Sequence, residues 1–320
     1  MAYSTGSATD ANDMMEKLKN FLVANGYTQD YYAADGTGYR CHLQKEGVYF
    51  NLRSALGESV QGCNRLLHGI AINAGNGYIE IPAGDVTQKW RNQPGVAVSP
   101  ESAYGMNLGI TVAANMISGS IPAYHLFANA DGFWAAIEIA AGQWSHLGCG
   151  ILTKFGSYPA LLDGVIVTGS GVPLYTETTR YPPFYSYEAT YMVAVEGTGQ
   201  TYNWFTGQDT SPYITTTQLS YGPFPGEIND SSNSRIGFLS RLLRCMPADL
   251  GSLSPLFPSY ISAQTNDTNY CLLGHWDMVR CTRMQAFTAE QEVTIGSETY
   301  MIFPAVDATD DFALAIRKTT

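Results

Sequence analysis

Close to the start of the chain, apolar residues recur with the period of a helix. Met14, Met15, Leu18, Phe21 and Leu22 stand at i, i+1, i+4, i+7 and i+8, which places them along one side of a helical cylinder. Thr9 and Asp10 precede this stripe as caps, Asp13 and Glu16 open it, Lys17 and Lys19 follow, and Asn25-Gly26 stops it. The pattern predicts an amphipathic helix of about 15 residues in an N-terminal segment, residues 1–30. Beyond it the period changes to two. Short runs enriched in β-branched and aromatic residues, punctuated by Gly, Asn and Asp, predict strands at 39–44, 48–52, 67–73, 78–81, 124–129, 133–140, 144–155 and 164–167. The same texture returns at 270–276, 278–284, 292–295, 300–304 and 312–316.

The clearest hairpin joins 124–129 to 133–139 through Ala130-Asp131-Gly132, where Asp-Gly supplies left-handed turn residues. A third strand from Trp144 extends it to a meander with a buried face. Gly296-Ser297-Glu298 turns a second hairpin. Between residues 176 and 260 the texture loosens: Pro182-Pro183, Pro223, Pro225 and a polar run at 229–234 surround one short helical pattern at 235–245. Long stretches without strong period carry surface contacts more often than core. The expected fold is therefore α+β and mainly β: antiparallel sheets, sandwich- or barrel-like, with an N-terminal amphipathic helix and a loop-rich insertion. The boundaries are 1–30 for the helical segment, 31–175 for a β domain, 176–260 for the insertion, and 261–320 for C-terminal hairpins that complete the β domain.

Composition narrows the functional classes. Charged residues make up only 14% of 320 positions, while the chain holds 32 Gly and 21 Tyr. An average soluble domain carries roughly 25% charge, and a surface so poor in charge suits a subunit covered by partners. The net charge of −11 opposes wrapping of nucleic acid, which needs clustered Lys and Arg to replace counterions. Between residues 92 and 234 the bases are Lys154 and Arg180, against ten acids that include Asp131 and Glu138. No apolar run approaches the roughly 18 residues of a membrane span, and the polar start lacks an export signal, so no membrane insertion is expected. The helix stripe has no Lys/Arg-rich polar face for a membrane surface, and its expected cover is the body of the protein or a neighbouring subunit. Met14, Leu18 and Phe21 are therefore candidate interface residues.

The chain has six cysteines and no C-x-x-C pair. Buried reduced thiols are expected. The alternative is that Cys271 and Cys281 face each other across a hairpin and bond if the protein meets an oxidising medium. Phosphate-binding, zinc-protease, nucleophile-elbow and dinucleotide signatures are all missing, so the chain reads as a non-enzyme with no catalytic, cofactor or metal residues to name. His125 and His146 sit in two strands of one meander, with Cys149 as a conceivable third zinc ligand, yet satisfied and partly buried histidines are the expectation. The acid pairs Glu177/Glu188 and Asp310/Asp311 are candidates for glycoside hydrolysis, the second a poor one because adjacent acids on a strand point to opposite faces. In the aromatic run 181–187, Tyr181, Phe184, Tyr185 and Tyr187 suit a subunit interface, with glycan stacking and plain surface packing as the other uses.

Several segments, taken in order, resemble one family of tailed-bacteriophage virion structural proteins. The opening Tyr3-Ser-Thr-Gly-Ser-Ala-Thr9 leading into Leu18-Lys-Asn-Phe-Leu-Val-Ala-Asn-Gly-Tyr27 is similar to that family's first helix and its stop. Trp90-Arg-Asn-Gln-Pro-Gly95 resembles its x-x-Q-P-G loop, and residues 121–139 resemble its central hairpin. Gln143-Trp-Ser-His-Leu-Gly-Cys-Gly150, Lys154-Phe-Gly156 and Gly169-Ser-Gly171 follow in the family's order. Val293-Thr-Ile-Gly-Ser-Glu-Thr-Tyr-Met-Ile-Phe303 resembles its I-x-I-G-G-x-x-Y-x-V-F hairpin, with Ser297 in place of the second glycine, and nothing in 176–260 matches the family. The resemblance implies a virion subunit of the neck or tail, with the collar ring at the head–tail junction favoured. It implies association with copies of itself and with other neck or tail proteins, and no cofactor. DNA would pass through the ring without specific binding, and Asp131 and Glu138 are candidate wall residues, the other reading being an acidic outer rim. A receptor- or glycan-binding tail tip and a cell-wall or capsule hydrolase are the alternatives from other classes.

Overall fold

The computed structural model describes residues 1–46, 48–59, 66–75, 112–115, 119–151, 153–155, 165–169, 190–193, 219–220, 255–266, 269–304 and 312–318. The elements in chain order begin β1 (Ala2–Ala8), α1 (Ala11–Ala24), β2 (Thr28–Asp35), β3 (Gly38–Lys45), β4 (Val48–Ser59), β5 (Leu66–Gly75) and β6 (Val112–Asn115). The middle of the chain holds β7 (Ile121–Ala128), β8 (Gly132–Ala140), β9 (Gln143–Ile151), β10 (Thr153–Lys154), β11 (Val165–Gly169), β12 (Thr190–Val193) and β13 (Leu219–Ser220). The last strands are β14 (Phe257–Asn266), β15 (Asn269–Arg283), β16 (Glu292–Ile295), β17 (Glu298–Pro304) and β18 (Phe312–Arg317). They form three antiparallel sheets: a central one in the order β1-β7-β8-β9-β11-β12, an N-terminal meander β2 to β6, and a C-terminal sheet β13-β14-β15-β18-β17-β16 with β10 paired to β15. The α+β, mainly β fold class read from the sequence is the architecture observed, with the sheets layered as a sandwich.

Helix α1 forms where the pattern placed it. The Asp10 carboxylate accepts from the N–H groups of Asn12 and Asp13, filling two of the donors that a helix start leaves open. Asp13 returns the contact by accepting from the Thr9 N–H at 2.8 Å. At the other end Gly26 takes φ +87°, the left-handed conformation that ends a helix at little cost in glycine. Met14, Met15, Leu18 and Leu22 are fully buried, joining Leu43, Phe50, Leu52, Ile70 and Ile72 of the N-terminal sheet and Leu126, Phe133, Ile137 and Leu147 of the central sheet in one core. Tyr27, Phe50 and Phe133 close it with edge and tilted ring contacts, 5.3 Å between the two Phe centroids.

The opposite face of the central sheet is covered too. Trp134 packs on Trp276 of β15 with centroids 5.4 Å apart, and Trp144 packs on Phe303 of β17 at 4.9 Å. Strands β7 to β9 are thus buried on both sides, which is why their sequences run nearly continuously apolar instead of alternating. Gly148 and Gly150 are required here by space, because a Cβ at either would press on Trp276.

Four expectations need correction. β1 was not foreseen: Tyr-Ser-Thr-Gly-Ser carries no strand pattern, and the segment is a strand because β7 offers it a ladder. β2 also lies outside the expected strands, and its ladder is with β3. Residues 269–283 form one strand instead of two, so Cys271 and Cys281 lie ten residues apart on β15. At a rise of about 3.3 Å per residue they are roughly 33 Å apart, far beyond the ~7 Å Cα separation that a bridge tolerates. They do not form a mutual disulfide, and Cys281 is a buried free thiol. Finally, Gly132 serves a different purpose from the one expected. It begins β8 at φ +158°, and a Cβ there would collide with the Cys149 carbonyl of β9, so the need is for close approach and not for a left-handed turn. Strand 78–81 and helix 235–245 lie outside the described residues. The stretch 176–260 contributes β12, β13 and the start of β14.

The turn at Ser297 is settled by geometry. Ile295 pairs with Glu298, leaving Gly296 and Ser297 as a two-residue loop. Gly296 has φ +62° and Ser297 is not left-handed, which is the type II′ arrangement with glycine needed only at the first position. Serine at the second position is therefore compatible with the hairpin.

Candidate functional site

The residues singled out from sequence do not converge. Met14 and Leu18 are fully buried in the chain's own core, and Phe21 is half-buried against it. The stripe proposed as a subunit interface is thus consumed inside the chain. Tyr181, Phe184, Tyr185 and Tyr187 lie outside the described residues. Asp131 is exposed in the β7–β8 turn, where its N–H donates to Asn129 Oδ1 and its carbonyl accepts from the Ile151 N–H. Glu138 lies seven residues on, roughly 23 Å along the strand, and caps the next turn by accepting from the Gly142 N–H at 2.9 Å. The two carboxylates mark opposite ends of one hairpin. Beside Asp131, the Lys45 ammonium donates to the carbonyls of Asn25 and Asn129 and lies 4.7 Å from the Tyr27 ring centre, tying the helix C-terminus to the hairpin. The pocket between them, about 10 Å³, has room for one water.

The histidines are more informative. His125 and His146 both sit opposite Ala136 in the ladder, so they share the face turned to the C-terminal sheet. Cys149 faces the opposite core, which removes the third zinc ligand considered from sequence. No group of three or more metal-ligating side chains occurs among the described residues. His146 is completely buried. Its Nδ1 accepts from Trp134 Nε1 at 3.2 Å, so its Nε2 carries the proton and donates to the Pro304 carbonyl at 2.8 Å. Burial holds this imidazole's pKa down at about 4, the Pro304 carbonyl opposing weakly.

His125 stands at the centre of a hydrogen-bonded array that joins distant parts of the chain. Its Nε2 lies 2.6 Å from Glu290 Oε1, and its Nδ1 2.8 Å from the Tyr3 hydroxyl. An ionised carboxylate can only accept, so Nε2 is the protonated nitrogen and Nδ1 accepts from Tyr3. Lys318 lies 4.3 Å from the Tyr3 ring centre and is bonded to Glu292 at 2.6 Å, while Met301 Sδ is 4.0 Å from the same hydroxyl. Burial lowers the His125 pKa against the pull of Glu290, and burial raises that of Tyr3 against the pull of Lys318. Glu290 itself has φ +65°, a left-handed backbone that is costly for a side-chain-bearing residue. Its N–H donates to the Ile302 carbonyl at 2.7 Å and Ile302 donates back to Gln291, which fixes this conformation as an extension of the β16–β17 ladder.

The array is a phenol, an imidazole and a carboxylate in line: a weak nucleophile, a base, and a group that orients the base. Sequence reasoning reached His125 alone. Tyr3 is 122 residues from it and Glu290 165, and no motif or spacing links the three. The available signal was a histidine in an otherwise apolar strand, whose two nitrogens had to find partners somewhere.

No protein-family model and no curated protein matches this chain.

Proposed function

We propose that this protein is a structural subunit of a tailed-phage virion, built into a symmetric collar or neck ring at the head-to-tail junction and acting by association. The observation that carries this reading is the order of the family-like segments along the chain. Residues 121–139, 143–150 and 293–303 fall on β7, β8, β9, β16 and β17, and Phe127 of β7 and Trp144 of β9 meet Phe303 of β17 across the seam of the central and C-terminal sheets. A likeness that falls on frame strands and on the turns that space them suits a building role, since it fixes shape. The scarcity of charge supports the same reading, because a ring buries much of each subunit's surface, on the obligate scale of more than ~2,000 Å² per contact. The partners are copies of this chain and neighbouring neck or tail proteins, with DNA passing through unbound. None of the described helices is long and apolar enough to cross a membrane.

The test is direct imaging. Purified protein examined by negative-stain microscopy should show closed rings, and gold label directed at this subunit should mark the neck of intact particles. A stable monomer at high concentration, together with unlabelled particles, would remove the proposal. Label at the tail tip would move the subunit to the receptor-binding end.

A further inference from the structure

We propose that Tyr3 is a nucleophilic acceptor for activated acyl groups, with His125 as its general base and Glu290 as the residue that orients that base. This role rests on geometry and is independent of the virion reading. The Tyr3 oxygen is 2.8 Å from His125 Nδ1, within proton-transfer reach, and the far nitrogen is held by Glu290 at 2.6 Å, which fixes the tautomer that leaves Nδ1 free to accept. A second observation points the same way. Glu290 is held in a left-handed backbone conformation, with its side chain 49% exposed, and strain of this kind collects where a side chain must be aimed. Tyr3 is half-buried and the Glu290 side chain is open to solvent, so neither end of the array is fully enclosed.

The step balances without a further reagent. The phenolic oxygen bonds to the acyl carbon, the bond from that carbon to its leaving group breaks, and the phenolic proton passes to His125 Nδ1 and from there to the leaving group. Burial keeps Tyr3 protonated near neutrality, so the reaction needs the base to be in place and does not draw on a standing phenolate. The charges facing the array select the donor. Glu290, Glu292 and Glu138 oppose the single Lys318, which is already bonded to Glu292. Such a surface repels multiply charged phosphoryl donors and admits neutral acyl esters or acyl imidazoles.

The probe is N-acetylimidazole on the folded full chain, with acetylated tyrosines mapped by mass spectrometry. Tyr31 is the internal control, since it is 37% exposed and more open than Tyr3. Tyr3 should acetylate at least about ten-fold faster than Tyr31 at pH 7, because a positioned base contributes 10²–10⁴-fold and half-burial returns part of that. An ordinary phenol gains about ten-fold in reactivity per pH unit below its pKa near 10, whereas Tyr3 should change little from pH 7 to 8, its base having already lost its proton. Glu290→Gln should slow Tyr3 about five-fold and leave Tyr31 unchanged, and His125→Gln should bring Tyr3 down to the Tyr31 rate. The proposal fails if wild-type Tyr3 is no faster than Tyr31, if it follows the ten-fold pH slope, or if folded Glu290→Gln is unaltered. The first two measurements need no variant, so a misfolded His125→Gln does not protect the idea.

Discussion

Acid should weaken this fold through His146 in a predictable window. The residue has 0% exposure, its Nδ1 faces the Trp134 indole N–H and its Nε2–H faces the Pro304 carbonyl. A second proton on the ring would set an N–H against the indole N–H in a site closed to solvent. The folded pKa of about 4 against 6.5 for the free side chain means that the folded state binds fewer protons than the unfolded one between those values. Stability is therefore fully present above pH 6.5, falls by about 1.4 kcal/mol for each pH unit below it, and stops falling near pH 4 as far as this group is concerned. The whole effect is roughly 3 kcal/mol, of which about 2 is lost by pH 5. His125, also held below its ordinary pKa by burial, adds in the same direction. The assay is urea unfolding followed by tryptophan fluorescence at pH 7.5, 6 and 5, for wild type and for His146→Gln. Glutamine keeps an acceptor for Trp134 and a donor for Pro304 but does not titrate. Carboxylate effects are common to both proteins, so the wild type should lose about 2 kcal/mol more than the variant between pH 7.5 and 5. Parallel stability curves would refute the assignment of a neutral, proton-excluding His146.

Other consequences follow from the same contacts. Leu18→Ala should cost about 2–5 kcal/mol in urea unfolding, the range for a fully buried leucine, and Leu18→Asp should block incorporation into particles. Asp10→Ala removes the cap of α1 and should cost about 0.5–2 kcal/mol, with Asp10→Asn restoring most of it. Replacing Asp131 and Glu138 with Lys should slow DNA ejection at low salt and recover at about 1 M, where screening shortens to about 3 Å; unchanged ejection at both salt levels, in particles that carry the variant, would take these two residues off the channel wall.

What was legible in the sequence is local. The helix 11–24 was readable because its stripe, its cap and its glycine stop all lie within seventeen neighbouring residues and agree. The β7–β8–β9 meander was readable because short connections force adjacent strands to pair. Buried thiols were expected from the residue type alone, and Cys41 and Cys149 are buried; burial pushes the Cys41 pKa up to about 12. What lay outside the sequence is whatever depends on contacts between distant segments. Residues 2–8 have no intrinsic strand pattern and become β1 only because β7 presents an open ladder. The Met14-Leu18-Phe21 stripe is equally compatible with a neighbour's surface and with the chain's own core, since an apolar face records the need for cover and not its source; the N-terminal and central sheets supply that cover. The alignment of Tyr3, His125 and Glu290 has the same origin. Hydrogen-bond partners are chosen by proximity in space, and three residues from the two ends and the middle of the chain meet because the central sheet packs against the C-terminal one.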